Sequence, residues 1–368
     1  MDSRERLLTA LHNQAPDHLP AQVHGWMTYY LNTYLGGCDD WAAYDRFGLD
    51  KVIYRMPINE YAPADLANWR SETRSLGTDA DGNHLYATTI TTPDGVLTTR
   101  HATNAFTAWT TEFLIKTPAD FVLFERYGLV PNRLDPAPVL EAQWRLGADG
   151  IVRGGGLGYG QGSPWQDLCT MVDTQNAILW ALDRPDEMHH MLQVILDKRL
   201  KAIALLQGIP LDLFEVGGGA GSNTVISPAM FREFCLPYDR IQNQALHAVG
   251  CKIVYHLCGG LMQMLELVAE TGADGLETMT PPSMGGDCDL AAANRRVGDR
   301  LFFIGGFDQN AGFERGTPEA VREQVLALHA ARPQGGYICC PSDHFFFGDP
   351  ANLQAFADAA KTCTYPAR

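Results

Sequence analysis

Residues 253–260 read IVYHLCGG, a short β-branched run that ends in a His-x-Cys pair and two glycines. On an extended strand the side chains of residues i and i+2 point to the same side, so His256 and Cys258 can present an imidazole nitrogen and a sulfur to one point. The glycines end the strand and let backbone or a ligand approach closely. The pattern predicts a buried strand whose carboxyl end carries reactive side chains.

The same alternation of strand and helix recurs through the second half of the chain. Helices begin at Ser-Pro, Thr-Pro or Asp-Pro pairs, in which the first residue caps the helix and the proline takes its first position. Strands are predicted at Gly150 to Gly154, Leu211 to Val216, the run from Ile253, Asp274 to Thr278, Leu301 to Ile304, and Gly336 to Cys340. A spacing of roughly 25–40 residues is typical of a parallel β/α array.

Two further strands are predicted upstream, at Leu19 to Val23 and Lys51 to Arg55. We therefore predict an α/β fold with a single (β/α)8 TIM-type barrel over residues 1–368, and an open doubly wound sheet is the alternative. A β-hairpin insertion at about residues 84–115 interrupts the array, since alternating runs flank Pro93-Asp94-Gly95. In such barrels the carboxyl ends of the strands build the active site.

Charge and composition limit the class of protein. The net charge of −15 argues against nucleic acid or an anionic membrane as the main partner. Nine cysteines, an odd number without framework spacing, are typical of reduced thiols in a cytosol. No apolar run approaches the ~20 residues of a membrane helix, and no apolar signal segment follows Met1. We expect a cytoplasmic protein.

Polar residues at the strand exits are the candidates for chemistry. They are Glu215, His256, Cys258, Glu277, Asp308 and the run from Cys339 to His344. A thiolate and an imidazole suit Zn²⁺, which also accepts carboxylate oxygen. A catalytic zinc needs three protein ligands, and the third could be Glu277, Cys340, Asp343 or His344, among which spacing does not choose. The alternative is an ordinary buried histidine beside an inert buried cysteine.

Aromatic residues follow the first and last predicted strands. Trp26, Tyr29, Tyr30 and Tyr34 come after the first, and Phe345, Phe346 and Phe347 after the last. Such rows form either a packed helix face or the wall of a pocket. For the pocket, the predicted substrate-binding residues are Trp26, Tyr30 and Phe345, together with the carboxylate of Glu215.

Glycines also follow two of the predicted strands. The loop from Gly154 to Gly162 does not fit the dinucleotide fingerprint G-x-G-x-x-G. We expect Gly156, Gly158 and Gly218 instead to let a cofactor approach the barrel mouth. G-x-S-x-G, Walker A and H-E-x-x-H motifs are missing, which removes the commonest hydrolase, NTPase and metalloprotease interpretations.

The segment from Tyr255 to Gly259 resembles the H-x-C-G zinc motif of the uroporphyrinogen decarboxylase-like, cobamide-dependent methyltransferases. Other segments similar to this superfamily are Ser227 to Phe231 with Pro237-Tyr238, Gly305 to Asp308, and Gly336 to Ile338 before Pro341 to His344. The resemblance runs over nearly the whole chain and implies a (β/α)8 barrel. True uroporphyrinogen decarboxylases carry Arg-Gln-Ala-Gly-Arg after the first strand, for a poly-carboxylate substrate. Here residues 24–30 read HGWMTYY, without arginine.

The resemblance also implies a cofactor and a ligand set. In these methyltransferases zinc is held by the His and Cys of H-x-C, which match His256 and Cys258, and by a cysteine after the last strand. That third position falls at Asp343, with Cys340 the nearest thiol. The implied activity is methyl transfer of the methylcobamide:coenzyme M or O-demethylase type, between a small substrate and the corrinoid of a partner protein.

The methyl donor or acceptor is then a methoxylated compound, a methylamine or a thiol, and the sequence does not choose among them or fix the direction of transfer. Glu277, Asp308 and His344 are the predicted catalytic residues that manage the proton. One alternative is a cofactor-free decarboxylase, which needs cations such as Arg55, Arg100 or Arg153 in its pocket. Another is a non-catalytic barrel that binds a corrinoid or small molecule. Assembly as a homodimer stays open.

Overall fold

Strands and helices are numbered here in chain order, over the residues that the computed structural model describes, 1–157 and 162–366. The strands are β1 (Lys51–Tyr54), β2 (Ile58–Glu60), β3 (Arg70–Thr78), β4 (His84–Thr92), β5 (Gly95–Thr103), β6 (Ala108–Glu112), β7 (Arg133–Asp135), β8 (Gly150–Gly155), β9 (Leu213–Gly217), β10 (Ile253–His256), β11 (Gly275–Thr278), β12 (Phe302–Phe307) and β13 (Tyr337–Pro341). The α-helices are α1 (Ser3–Leu11), α2 (Thr28–Tyr34), α3 (Asp40–Phe47), α4 (Pro63–Asn68), α5 (Pro118–Tyr127), α6 (Ala137–Leu146), α7 (Pro164–Val172), α8 (Thr174–Asp183), α9 (Pro185–Ala204), α10 (Pro228–Met230), α11 (Leu236–Ala248), α12 (Leu265–Glu270), α13 (Leu290–Val297), α14 (Pro318–Ala331) and α15 (Pro350–Thr362).

A curled parallel sheet forms the body of the protein. Its seven strands are hydrogen-bonded in the order β1-β8-β9-β10-β11-β12-β13. The predicted first strand, residues 19–23, lies between the two edges of this sheet. Ala21 bridges Cys339 of β13 in parallel, and its carbonyl accepts a hydrogen bond of 2.9 Å from the amide of Asp50, next to β1. This stretch takes the eighth position, and the predicted (β/α)8 barrel is confirmed.

The alternation of side chains along the strands divides the barrel interior into two layers. An apolar floor is sealed by Leu7 and Leu11 of α1 and contains Val52, Ile151, Leu213, Val254, Ile304, Ile338 and Cys340. Two residues further along four of these strands, on the same side, come Tyr54, Arg153, Glu215 and His256. Because successive side chains of a strand point to opposite faces, the strand period itself puts a polar layer above the apolar floor.

An antiparallel sheet of four strands, in the order β3-β4-β5-β6, forms the insertion. β4 and β5 pair from Thr92 opposite Gly95 onward, so the hairpin turns at Pro93-Asp94 as predicted. The sheet begins at Arg70, earlier than the predicted 84, because β3 precedes the hairpin. All nine residues of β3 are exposed, so no apolar alternation announces the strand in the sequence.

The helices begin where the capping pairs predict. The side chain of Ser227 accepts a hydrogen bond from the amide of Met230 at the start of α10, and Thr317 does the same for Ala320 in α14. Helix α12 begins only at Leu265, after a turn that follows Gly259 and Gly260. Among the helices of residues 1–157 and 162–366, none is long and apolar enough to cross a membrane.

Candidate functional site

A cluster of buried charges occupies the polar layer of the barrel. Nη2 of Arg153 donates to Oε2 of Glu215 at 2.7 Å and also to Oε1 of Glu277. Nδ1 of His256 lies 2.9 Å from Oε1 of Glu277 and 3.5 Å from Oε1 of Glu215. All four residues are buried. An isolated buried charge costs several kcal/mol, so the guanidinium is what allows two carboxylates to lie side by side here.

The charges in this cluster shift the protonation of its members. Burial opposes ionisation of Glu277, but the charge of Arg153 and the contact with His256 outweigh it and hold the Glu277 pKa well below its usual range. Burial also opposes a charge on His256, yet hydrogen bonds with Cys258 and Glu277 and the neighbouring carboxylates raise its pKa well above the usual value. Glu277 is therefore an anion throughout the physiological range.

The structure brings His256 and Cys258 together. The half-buried Cys258 lies two residues past the end of β10, and interaction with its side chain raises the pKa of His256. The sulfur also lies against the turn that follows β9, because a Cβ added to Gly219 would be 2.6 Å from Sγ. Two separate strand exits thus fix the position of the sulfur.

Glu215, His256 and Glu277 could hold a metal ion, since one ligand atom from each lies within 4.8 Å of the others. Oε2 of Glu277 is buried and has no hydrogen-bond partner, which leaves a free ligand oxygen at the centre of the cluster. Together with the sulfur of Cys258, the residues offer nitrogen, oxygen and sulfur, a set that suits zinc. The distances between the ligand atoms, the unpartnered oxygen and the chemistry of the donor set therefore fit a divalent cation.

The other predicted metal ligands lie elsewhere. Asp343 is exposed, and its Oδ1 accepts a hydrogen bond of 2.7 Å from the amide of His344, so it is not part of the cluster. Cys340 lies in the apolar floor, where burial raises the pKa of its thiol well above the usual value. His344 lies at the rim of the adjoining cavity. The fourth alternative, Glu277, is the one beside His256.

A cavity of about 380 Å³ opens beside the cluster. Its walls are formed by His24, Gly25, Trp26, Asp40, Tyr44, Val52, Tyr54, Glu215 and His344. No lysine or arginine of the described chain is among them. Burial lowers the pKa of His24 well below its usual value, so this imidazole is neutral. Its ring centroid lies 5.4 Å from that of His256 and 4.9 Å from that of His344. The cavity suits a small substrate without multiple negative charges.

The structure separates the predicted substrate-binding residues into two pairs. Trp26 and Glu215 line the cavity. Tyr30 is fully buried, and its hydroxyl donates to the carbonyl of Gly348 at 3.2 Å. Phe345 packs against Tyr30 with ring centroids 4.8 Å apart. These two aromatic rings belong to the packing behind the cavity wall.

The predicted catalytic residues also occupy different places. Glu277 is in the cluster and His344 lines the cavity. Asp308 is buried, and its Oδ1 accepts a hydrogen bond of 2.8 Å from the amide of Ala311. The Asp308 carboxylate therefore binds an amide of the turn Asn310–Glu314, and Asp308 is not a member of the Glu215, His256 and Glu277 cluster.

The glycines predicted to admit a cofactor have distinct surroundings. Gly156 has φ +68° at the exit of β8, and Gly218 has φ +148° after β9. A Cβ on Gly218 would collide with the side chain of Gln166, so packing alone requires glycine there. Gly158 lies outside the described residues.

The sequence does not single out several residues of the site, among them Arg153, His24, Tyr44 and Tyr54. Arg153 is predicted only as a cation for decarboxylation, and the other three carry no predicted role. A signal existed for Arg153, because a charged residue inside the otherwise apolar strand Gly150–Gly155 needs a buried partner. Of the other cations considered for decarboxylation, Arg55 lies 3.8 Å from Asp40 and Arg100 pairs with Glu112 in the insertion.

Comparison with known proteins identifies the family. The model of the family described as uroporphyrinogen decarboxylase (URO-D) matches residues 156–363, more than half of the chain. The chain belongs to the URO-D family. All the strand exits from Gly156 onward, including those that carry Glu215, His256 and Glu277, lie within the matched region.

Individual relatives of the URO-D family cover part of the chain. The uroporphyrinogen decarboxylase of Neisseria meningitidis serogroup C / serotype 2a is 31% identical over 221 residues, which are 54% of this chain and 55% of the relative. That of Pseudomonas putida (strain GB-1) is 29% identical over 240 residues, 60% and 61% of the two chains. The chain thus spans little more than half the length of the curated relatives it matches.

A solved structure matches nearly the whole fold. A methyltransferase from Methanosarcina mazei superposes with a TM-score of 0.67 at 16% sequence identity, covering 98% of this chain and 99% of that one. At this identity the match shows a shared barrel architecture, including the part of the chain that lies before the URO-D region.

Proposed function

We propose that this URO-D family protein is a zinc-dependent methyltransferase, which moves a methyl group between a small substrate and the corrinoid of a partner protein. The observation that carries the proposal is the buried cluster of Glu215, His256 and Glu277, whose ligand atoms lie within 4.8 Å of one another and in which Oε2 of Glu277 has no hydrogen-bond partner. Imidazole, thiolate and carboxylate together are a zinc ligand set with room for a substrate.

His256, Cys258 and Glu277 would hold the metal, with Glu215 as a second carboxylate beside it. When bound, zinc acts as a Lewis acid on a departing oxygen or nitrogen, or lowers the pKa of a thiol. Arg153 positions the two carboxylates through its hydrogen bonds to both. Glu277 takes the place of Asp343 as third ligand, because Glu277 adjoins His256 and Asp343 does not.

The cavity residues would bind and orient the substrate. Trp26, Tyr44 and Tyr54 supply aromatic walls that exclude water, and the neutral imidazole of His24 offers one hydrogen bond without a charge. His344, at the rim, can exchange a proton with solvent and the substrate heteroatom. We assign the substrate to small methyl compounds, either methoxylated compounds, methylamines or thiols.

The direct test measures metal and methyl transfer in the same preparation. We expect about one zinc ion per chain, and methyl transfer between a small substrate and free cobalamin, followed by the corrinoid absorbance. The chelator dipicolinate should remove the zinc and abolish methyl transfer, and added zinc should restore the metal content and the activity. Glu277→Gln should weaken zinc binding while Asp343→Asn should not. A metal-free preparation with full methyl transfer would overturn the proposal.

Decarboxylation is the second candidate, since the matched relatives are uroporphyrinogen decarboxylases and Nε and Nη1 of Arg153 are buried without partners. A guanidinium with free N–H groups can bind a substrate carboxylate. Release of CO₂ from uroporphyrinogen that survives chelation and is lost in Arg153→Met would establish this activity. The lack of lysine or arginine in the described cavity wall favours methyl transfer.

Gly219→Ala is expected to weaken zinc binding without unfolding the barrel. The new Cβ would lie 2.6 Å from Sγ of Cys258 and would push the sulfur out of place. A displaced supporting contact typically lowers metal affinity roughly 10- to 100-fold. The matched control is Gly221→Ala in the same turn, whose Cβ would meet its nearest atom at 3.5 Å, an ordinary contact. Competition with a fluorescent zinc chelator measures both variants, and equal affinities would contradict the position of the sulfur.

A further inference from the structure

Four aromatic rings meet where the insertion sheet contacts the barrel. Phe106 is half-buried and lies in the connection between β5 and β6. Its ring centroid is 4.5 Å from that of Tyr29, 5.4 Å from that of Phe346 and 5.7 Å from that of Phe347. The ring centroids of Tyr29 and Phe347 are 5.5 Å apart. These separations are typical of interacting aromatic pairs, so the four residues form one ring cluster.

The ring cluster joins two walls of the candidate-site cavity. The segment after the first strand carries Trp26 and the cluster residue Tyr29, and the segment after β13 carries His344 and the two phenylalanines of the cluster. Trp26 and His344 both line the cavity. Phe345 links the two segments from behind, with its ring centroid 6.0 Å from that of Trp26. Phe106 comes from a different part of the chain and packs against both segments at once.

Hydrogen bonds fix the turn that carries Phe106. Oδ1 of Asn104 accepts a hydrogen bond of 2.9 Å from the amide of Phe106 and one of 3.0 Å from the amide of Thr107. The amide of Asn104 donates to the carbonyl of Thr107 at 3.0 Å. An asparagine that bonds the backbone two residues further on stabilises a tight turn. The turn therefore holds Phe106 in a defined position.

The other end of the insertion sheet is attached as well. Oδ2 of Asp94, in the turn between β4 and β5, accepts hydrogen bonds from Nη1 of Arg126 at 2.9 Å and from the hydroxyl of Tyr127 at 2.7 Å, both on α5. β5 runs between the two ends, pairs with β4 and β6, and spans roughly 30 Å at the rise of an antiparallel strand. The sheet is thus attached to α5 through Asp94 and to the cavity walls through Phe106.

We propose that Phe106 is a positioning residue of the candidate site, which holds the segments of Trp26 and His344 in the geometry that binds the substrate. None of the described cavity residues comes from the insertion, so the sheet acts on the site through the ring cluster. Misplacement of substrate-orienting groups by about 1 Å can cost roughly 10²-fold in rate. The effect on catalysis rests on the proposed function, whereas the effect on the two segments does not.

Hydrogen–deuterium exchange tests the contact without any activity. Phe106→Ala should raise the exchange rates of peptides over residues 25–34 and 342–349 roughly 10-fold, because both segments lose the ring that packs on them. Phe106→Tyr keeps the ring and should exchange like the wild type. Trp109→Ala is the matched control, since Trp109 is 38% exposed and has no ring contact within the described chain. Peptides over β10 should be unchanged in every variant, which separates local loosening from unfolding.

Unchanged exchange of the two segments in Phe106→Ala overturns the proposal. An equal rise in Trp109→Ala overturns it too, because Trp109 does not contact these segments.

Kinetics of methyl transfer separates positioning from a merely structural role. Phe106→Ala should keep its zinc and lower kcat/KM roughly 10- to 100-fold, mainly by raising KM, because the displaced walls bind the substrate. Phe106→Tyr should restore kcat/KM. Wild-type kcat/KM in Phe106→Ala, with the segments loosened, would overturn the positioning role. If the wild-type chain instead releases CO₂ from uroporphyrinogen, the proposed function fails, and the same comparison of variants in that reaction decides the role of Phe106.

Discussion

Under the proposed function, Cys258→Ala is expected to remove zinc from the protein and to lower methyl transfer by about 10³-fold. The physical reason is that a Lewis acid contributes several kcal/mol, and about 1.36 kcal/mol is tenfold in rate. The sulfur would be the softest donor of the proposed metal centre, and without it His256 and the carboxylates would leave a site that exchanges its metal more easily. Elemental analysis after dialysis measures the metal, and the corrinoid absorbance measures the rate. Zinc-edge X-ray absorption of the wild type should show one sulfur neighbour.

Cys38→Ala is the matched control for this variant. Cys38 is likewise half-buried and unpaired in the described chain, but it lies in the connection before α3, away from the cluster. It should retain zinc and full activity. Thermal unfolding of both variants separates loss of metal from loss of fold. If Cys258→Ala keeps stoichiometric zinc and full methyl transfer, the proposed metal centre is wrong.

Much of the barrel could be predicted because its strands are buried and regularly spaced. The strand that holds His256 ends in glycines, and its neighbours recur with helices capped by Ser-Pro or Thr-Pro pairs. β3 could not be predicted in the same way. Every residue of this strand is exposed, so its pairing with β4 leaves no apolar pattern in the sequence. Hydrophobic periodicity arises from burial of one face, so it does not predict a strand that is solvated on both faces.

The candidate site shows a similar division. The strand-exit rule finds Glu215, His256 and Glu277, because the carboxyl ends of parallel strands meet at one mouth. The role of Arg153 depends on a contact between β8 and β11, which are three positions apart in the sheet and meet only inside the closed barrel. The place of Asp343 depends on a turn in which its carboxylate accepts a hydrogen bond from the next residue. Neither contact is encoded by local spacing.

A second buried carboxyl lies behind β10, outside the barrel interior. Asp239 of α11 is 1% exposed, and its Oδ2 accepts a hydrogen bond of 2.6 Å from the hydroxyl of Tyr255. Oδ1 has no partner. Burial raises the pKa of Asp239 to about 7, although the hydrogen bond with Tyr255 and the charge of Arg199 act in the opposite direction. The carboxyl is thus protonated in the folded protein at mildly acidic pH.

Asp239→Asn is expected to stabilise the protein at about pH 8 by about 4 kcal/mol and to have little effect near pH 4. The folded pKa of about 7 lies above the ordinary 3.8, so the folded state binds the proton more tightly than the unfolded state. The protonated Asp239 carboxyl contributes its full stabilisation of the folded state below pH 3.8, and this contribution is lost as the pH rises toward 7. Asparagine resembles the protonated carboxyl and does not ionise. Urea unfolding of both proteins across this range measures the difference.

Asp79→Asn provides a control with the opposite sign. Hydrogen bonds from Asn83 hold the pKa of the exposed Asp79 below its usual value, so this carboxylate stabilises the folded state at neutral pH and loses the effect in acid. Its replacement should cost a little stability at neutral pH and nothing in strong acid. The difference in the free energy of unfolding between the wild type and Asp239→Asn must instead grow as the pH rises from 4 to 7. A constant difference over that range would mean that Asp239 is already ionised in the folded protein, held so by Tyr255 and Arg199.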